Sequence, residues 1–370
     1  MKIVHFIDSL RKEDGVTRVI LALVNEAQKK GIESLIITGW AEDASISPVP
    51  VIQLPSFVLP FYRDYKLPLP GIRGFEKKLE NFQPDVLHIH SPGTMAWAAL
   101  KYSKKYKVPI VATYHTDFAR YLPYYHLSFL KSFVWFILRR LYSQMSFITT
   151  PSEISSRQLI DHDIPNVYTI PWGVDLKKFN ASFHSSEWRY KILHGEDKNI
   201  ILCVCRLTWE KDLRILATVF NLLKERQKNF SMVVAGDGPA RKELESLMSG
   251  TIFLGHTEGL ELSTAYASSD IFLFPSVTET FGQVTIEAMA SGLVSVVANA
   301  GGSKELIKEG ENGFLAEPHN VPDFYRKVNL LLDNRQLREQ MRNNGLDFIK
   351  NYTWVKVFTE LLQKYSKLKA

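Results

Sequence analysis

Cysteine is nearly absent: Cys203 and Cys205 are the two in 370 residues. So few thiols exclude a disulfide framework, and these two read as small buried residues on opposite faces of one strand. No apolar run reaches the roughly 18 residues of a membrane span. Neither sign of charge dominates. With 45 basic and 39 acidic residues the net charge is +6 and the pI about 9.0. That balance favours anionic partners weakly and argues against nucleic acid. The amino terminus starts directly on an alternating strand and lacks the pattern of a signal peptide. A cytoplasmic location is therefore expected, with a peripheral position on the inner face of the cytoplasmic membrane. No cluster of metal ligands is recognised, so neither metal nor cofactor is expected.

What is present is a βα rhythm that runs twice. Strands are expected at 2–8, 33–39, 51–55, 85–91, 109–115, 146–151 and 167–171, with helices at 17–30, 71–82, 94–106, 123–144 and 153–162. After a polar stretch, 176–198, strands follow at 200–206, 231–235, 251–254, 270–274, 293–298 and 313–316. Helices are expected near 212–227, 239–248, 260–268, 282–291, 303–309 and 321–333, and helical patterns at 335–350 and 353–368 close the chain. Apolar strands alternating with helices imply parallel sheets covered on both faces. The expected fold is α/β, with two facing Rossmann-like domains and a cleft between them. Residues 1–175 and 176–352 form the domains, and a last helix over about 353–370 returns to the first. Ligands bind at the carboxyl ends of such strands, and each candidate motif follows a strand.

The most informative motif lies at 275–302. Glu279 and Glu287 stand eight residues apart, with Thr280, Phe281 and Gly282 leading into a helix. Free amides at a helix start favour an anion. A carboxylate accepts two hydroxyls, as vicinal diols require. Arg206 ends a strand and Lys211 follows it, giving two cations of different reach for a diphosphate. In Ala-Gly-Asp-Gly-Pro, 235–239, Gly236 and Gly238 permit tight backbone and Pro239 suits a first helical position. In the first half, Gly15 follows strand one, His115 ends a strand, and Trp172-Gly173-Val174-Asp175 reads as a hinge. An isolated Glu pair, Asp-Gly turn or histidine is more often structural than functional. The case rests on their combination.

Together these motifs resemble the retaining glycosyltransferases of family 4, which have the GT-B fold. The resemblance covers nearly the whole chain. It rests on Glu279 to Glu287, Arg206 with Lys211, Gly236 to Pro239, and Gly173-Val174-Asp175. The run 112–126 is similar to the branch with bacterial mannosyltransferases and sulfoquinovosyl-diacylglycerol synthases. The resemblance implies a nucleotide-sugar donor and a lipid or glycan acceptor. Arg206 and Lys211 would neutralise the diphosphate and Glu287 would hold ribose. Glu279 and the backbone of Phe281, Gly282, Gln283 and Val284 would hold the sugar. His115 would lie near the reacting centre and Gly15 near phosphate. Asp14 departs from the Gly-Gly common at that loop, and a carboxylate beside phosphate is unfavourable unless it points away. His115, Glu279, Arg206 and Lys211 are the candidate catalytic residues.

The segment 118–142 carries nine aromatic residues with Leu127, Leu130, Val134, Ile137, Leu138 and Leu141 at helical spacing, interrupted by Lys131, Arg139 and Arg140. Such a segment suits a core helix or a membrane interface. Lys101, Lys104, Lys105 and Lys107 would add attraction to anionic lipid. The competing functions are a nucleotide-sugar epimerase of the same architecture and a non-catalytic partner subunit.

Overall fold

The computed structural model describes residues 1–12, 14–59, 62–68 and 75–368. The chain divides into two compact units. The first comprises Met1–Leu122, His126–Trp172 and Trp354–Ala370; the second comprises Gly173–Thr353 with Pro123–Tyr125.

The first unit opens with β1 (Lys2–Leu10), α1 (Gly15–Lys29), β2 (Glu33–Ala41) and β3 (Val51–Gln53). An antiparallel pair follows, β4 (Ser56–Leu59) with β5 (Tyr62–Pro68). Then come α2 (Glu76–Phe82), β6 (Val86–Ile89), α3 (Thr94–Tyr106), β7 (Ile110–Thr113), α4 (Phe118–Tyr121), α5 (Lys131–Tyr142), β8 (Ile148–Thr150), α6 (Glu153–Ile160) and β9 (Val167–Thr169). Seven strands form a sheet of order β3-β2-β1-β6-β7-β8-β9, and each neighbouring pair is parallel. Eight of the nine residues of β1 are buried. A parallel strand covered on both faces is buried in this continuous way, here with His5, Asp8 and Ser9 among the apolar residues. Asp14 caps α1, its Oδ1 accepting from the Val16 amide at 3.1 Å.

The second unit has α7 (Ser186–Ile192), β10 (Asn199–Val204), α8 (Leu213–Glu225), β11 (Phe230–Ala235), α9 (Arg241–Leu247), β12 (Ile252–Gly255), α10 (Gly259–Ala267), β13 (Ile271–Phe274), α11 (Gln283–Ala290), β14 (Val294–Ala298), β15 (Gly313–Ala316), α12 (Val321–Asp333) and α13 (Arg335–Phe348). Its six strands are parallel in the order β12-β11-β10-β13-β14-β15. The last helix, α14 (Trp354–Ser366), packs against α1 in the first unit. Its inner face buries Val357, Phe358, Leu361 and Tyr365, spaced as one side of a helix requires.

Several expectations need correction. The helix expected over 123–144 is shorter: 3-10 turns at Leu122–Tyr125 and Ser128–Leu130 precede α5. Pro123 supplies no amide hydrogen, and His126 takes a φ of 58°, outside the helical region. The helix expected over 71–82 is seen from Glu76; residues 71–74 lie outside those described. Pro239 does not open a helix, since α9 starts at Arg241. The segment 303–309 forms a 3-10 turn, Gly302–Leu306. The antiparallel β4–β5 pair and α7, inside the supposed polar linker, were not expected. Cys203 and Cys205 are buried, free and hydrogen-bonded to each other rather than on opposite faces. Residues two apart on a strand share a face.

Candidate functional site

In the second unit the strand order reverses between β10 and β13, which are adjacent and parallel. A switch point of this kind leaves a crevice at the carboxyl ends of its two strands. The loop after β10 carries Arg206 and Lys211, and the loop after β13 carries Glu279. Lys211 Nζ meets Glu279 Oε1 at 2.7 Å, with 12% and 17% of the two side chains exposed. Ser276 Oγ donates to the same oxygen at 2.9 Å. Arg206 is 59% exposed and pairs with Glu210 Oε1 at 3.3 Å. The site thus presents one half-sheltered and one open cation within a short stretch of chain.

The start of α11 completes this group. Gly282 takes the N-cap position with φ 95°, a left-handed conformation that a residue with a Cβ rarely adopts. A Cβ there would also overlap Ser303 Oγ. No side chain caps the helix. The amides of Gln283 and Val284, its first residues, have no acceptor within the helix, and they stand where the helix dipole favours an anion. Phe281 is buried, so its ring packs in the core. Gln283 Nε2 donates to the Gly173 carbonyl at 3.1 Å. Glu287 is also buried, and Tyr266 donates its hydroxyl to Oε2 at 3.2 Å.

Glycines hold these loops together. A Cβ on Gly236 would overlap the Cys205 carbonyl, and one on Gly238 the Leu207 carbonyl. Leu207 donates its amide to the Asp237 carbonyl at 2.8 Å and accepts from the Ala240 amide at 2.9 Å. The Gly236–Pro239 turn therefore braces the backbone just past Arg206. Gly302 donates to the Glu279 carbonyl at 2.7 Å, which ties the β14 loop to the carboxylate loop.

In the first unit, His115 lies two residues past β7 and lines a pocket of about 160 Å³ with Asp14, His90, Ser91, Phe118 and Tyr142. Burial pushes the His115 pKa down to about 3, which keeps the ring neutral. Trp172 lies beside it, ring centroids 5.2 Å apart. Gly15 is exposed and begins α1. A Cβ there would meet nothing within 4 Å, so the fold itself does not demand glycine. Asp14 has its Oδ1 turned to its own helix start.

Three groups escaped the sequence reading. Glu210, 4% exposed, sits four residues after Arg206 and anchors it; that spacing was the available signal. His5, His88 and His90 form a buried cluster with ring nitrogens within 4.8 Å of one another. The signal was His88-x-His90 on one strand face opposite His5 on its neighbour. Asp161-His162-Asp163 is an Asp-x-Asp that was overlooked. It follows α6 rather than a strand: Asp163 pairs with Arg139 at 3.1 Å and His162 stacks on Trp135 at 3.6 Å.

Residues 184–348 match the family Glycosyl transferases group 1, and residues 14–178 match Glycosyltransferase Family 4. The chain is 37% identical over 320 residues to the sulfoquinovosyl transferase SQD2 of Arabidopsis thaliana, covering 84% of this chain and 62% of that protein. It is 30% identical over 364 residues to a GDP-mannose-dependent alpha-mannosyltransferase of Corynebacterium glutamicum, covering 95% and 85%. The solved sucrose-phosphate synthase of Thermosynechococcus elongatus is similar in fold, with a TM-score of 0.83 at 16% identity over 99% of this chain and 98% of that one.

Proposed function

The chain belongs to the family 4 glycosyltransferases, and from that premise we propose a specific transfer. A hexose moves from a nucleoside-diphosphate sugar, GDP-mannose or a UDP-hexose, to a hydroxyl of a lipid or glycan. The anomeric configuration is retained and no metal is needed. The observation that carries this is the convergence at the β10/β13 switch point. Two cations, an uncapped helix start and two carboxylates, one of them inside α11, lie on the segments that follow adjacent strands.

Each part has a task in this reading. Arg206 and Lys211, with the α11 amides, balance the charge that grows on the departing diphosphate. That is the work a divalent ion would otherwise do. Lys211 is already held by Glu279, so one cation links the diphosphate end of the donor to the carboxylate that holds the sugar hydroxyls. Glu287, steadied by Tyr266, takes the ribose diol. His115, neutral, serves the sugar as a hydrogen-bonding group. Retention follows if the acceptor hydroxyl enters on the face the diphosphate leaves, passing its proton to a leaving phosphate oxygen.

For the acceptor, a membrane surface is favoured by the exposed face of the first unit around α5. Phe129, Phe133 and Phe136, spaced four and three residues apart, are 76%, 59% and 50% exposed. Lys131, Arg139 and Arg140 flank them and are also exposed. Apolar rings beside cations suit an anionic lipid interface. Trp135, Leu138 and Leu141 hold the opposite side in the core.

The test is a panel of GDP- and UDP-sugars, each incubated with the protein and lipid or sugar acceptors, with released nucleotide and product anomer measured. Release of GDP or UDP with an α-linked product from an α-linked donor supports the reading. Isomerised donor without release, or no binding, sinks it.

A further inference from the structure

The pocket beside His115 lies wholly in the first unit, and three helices begin at its rim. Asp14 and Val16, which line it, open α1. Ser91 and Pro92 precede α3. Thr116 and Phe118 flank the start of the short α4. A helix start carries unsatisfied amides and a partial positive charge, so it ordinarily attracts an anion. Here each start already holds a carboxylate of the protein. Asp14 Oδ1 accepts from the Val16 amide at 3.1 Å. Asp8, on β1, accepts from the Met95 amide in the first turn of α3 at 3.2 Å. A Cβ on Gly93 would overlap that carboxylate, so glycine at this N-cap leaves room for it. Asp117 Oδ1 accepts from the Arg120 amide at 3.1 Å.

The rest of the lining is uncharged. Among the described residues around the pocket there is no lysine or arginine; Arg11, Lys12 and Arg120 stand on neighbouring segments without lining it. Burial keeps two histidines of the lining neutral, holding His90 well below the ordinary range and His115 at about 3. Burial and the Asp8 charge push the Tyr142 hydroxyl up, the direction expected where an anion is disfavoured. What remains are groups for hydroxyls: Ser9, Ser91 and Thr116 both donate and accept, and Asp14 accepts. The start of α11 in the second unit is the opposite case, uncapped by any side chain and grouped with Arg206 and Lys211.

We propose that this pocket is a subsite for a neutral, hydroxylated group and rejects phosphate, carboxylate and sulfonate. A cavity of about 160 Å³ holds about six heavy atoms, one edge of a pyranose ring. That edge belongs to the sugar in transit, an assignment that rests on the reading of His115 as a group near the transferred sugar. The sugar transferred is then an uncharged hexose rather than a uronic acid or a sulfonated sugar. The charge of the diphosphate falls to the second unit alone, and Gly15, although it begins α1, does not take phosphate.

The test has two arms, both on the full chain at pH 7.5. In the first, inorganic pyrophosphate is added in excess and hydrogen exchange is read by mass spectrometry. Peptides covering Gln283 to Glu287 should exchange more slowly, and those covering Gly15 to Val19 should not change. In the second, kcat/KM is measured for an uncharged hexose donor and for the hexuronate donor on the same nucleotide. The hexose should be preferred at least about 100-fold, the effect of a like charge a few ångströms away. Asp14→Asn removes the charge and keeps a good N-cap, so the preference should narrow about tenfold. Slowed exchange at Gly15 to Val19 overturns the proposal, as does a hexuronate donor used as well as the hexose. An unchanged preference in a folded Asp14→Asn overturns it too. If no nucleotide sugar supports transfer, the functional reading fails, while the pyrophosphate arm still decides whether the pocket takes anions.

Discussion

Lowering the pH from 7.5 to 5.5 should remove at least about 3 kcal/mol from the stability of the first unit. The cause is the buried histidines. Burial pushes His5 and His115 down to about 3. It also holds His88 and His90 well below the ordinary value, and the neighbouring rings add repulsion. In the unfolded chain each returns to about 6.5. Because the folded values are lower, the unfolded state binds more protons below that pH. The stabilisation is complete above 6.5 and is lost as pH falls towards the folded values. Between pH 7.5 and 5.5 His5 and His115, with folded values near 3, lose together about 3 kcal/mol, and His88 and His90 add to the loss in the same direction. That is a large share of the stability of an ordinary domain. The window stays above the range where most carboxylates titrate. Hydrogen exchange read by mass spectrometry suits a chain of two units, because peptides from β1, β6 and β7 report the first unit separately. Their opening free energy should fall steeply while peptides from β10 and β13 change far less. A loss under about 1 kcal/mol, less than a single such histidine gives, would refute the reasoning.

Three further perturbations probe the second unit and the surface. Gly282→Ala must place a Cβ at φ 95° against Ser303, so it should cost about 1–2 kcal/mol in thermal unfolding and weaken donor binding; an unchanged Tm and donor affinity would show that the loop has another low-energy path. Tyr266→Phe deletes the hydrogen bond to Glu287, worth about 1 kcal/mol, so donor affinity measured by calorimetry should drop about fivefold. Changing Phe129, Phe133 and Phe136 together to Ser should reduce flotation with anionic vesicles severalfold and leave nucleotide release in the presence of a soluble acceptor unaltered.

Most of the scaffold was legible because parallel strands buried on both faces are long apolar runs. The helix expected at 94–106 and the strand at 313–316 match α3 and β15. The pairing of β10 with β13, which sets Lys211 beside Glu279, is a property of topology, and the positions of both loops after strands pointed to it. Other features were hidden for identifiable reasons. The Pro-rich surroundings of 56–68 disguise the β4–β5 pair. The helix expected over 123–144 is too long because periodicity alone does not register Pro123 or the left-handed His126. Long-range polar contacts were the least legible. Nothing local in the sequence says that His5, 85 residues before His90, meets it at 3.0 Å, or that Tyr365 reaches back to His88. Only the register of β1 against β6 makes that visible.

The most direct test is nucleotide release from a donor panel by the wild-type protein, Lys211→Ala and Glu279→Gln. One nucleoside-diphosphate hexose should yield GDP or UDP in the presence of acceptor. Lys211→Ala should lower kcat by about 100-fold or more, because a charge aimed at the leaving diphosphate is gone. Glu279→Gln should weaken discrimination between sugars more than it weakens binding of the free nucleoside diphosphate. Undiminished turnover in Lys211→Ala, or no binding of any nucleotide sugar to the wild-type protein, would contradict the assignment of the β10/β13 switch point as the donor site.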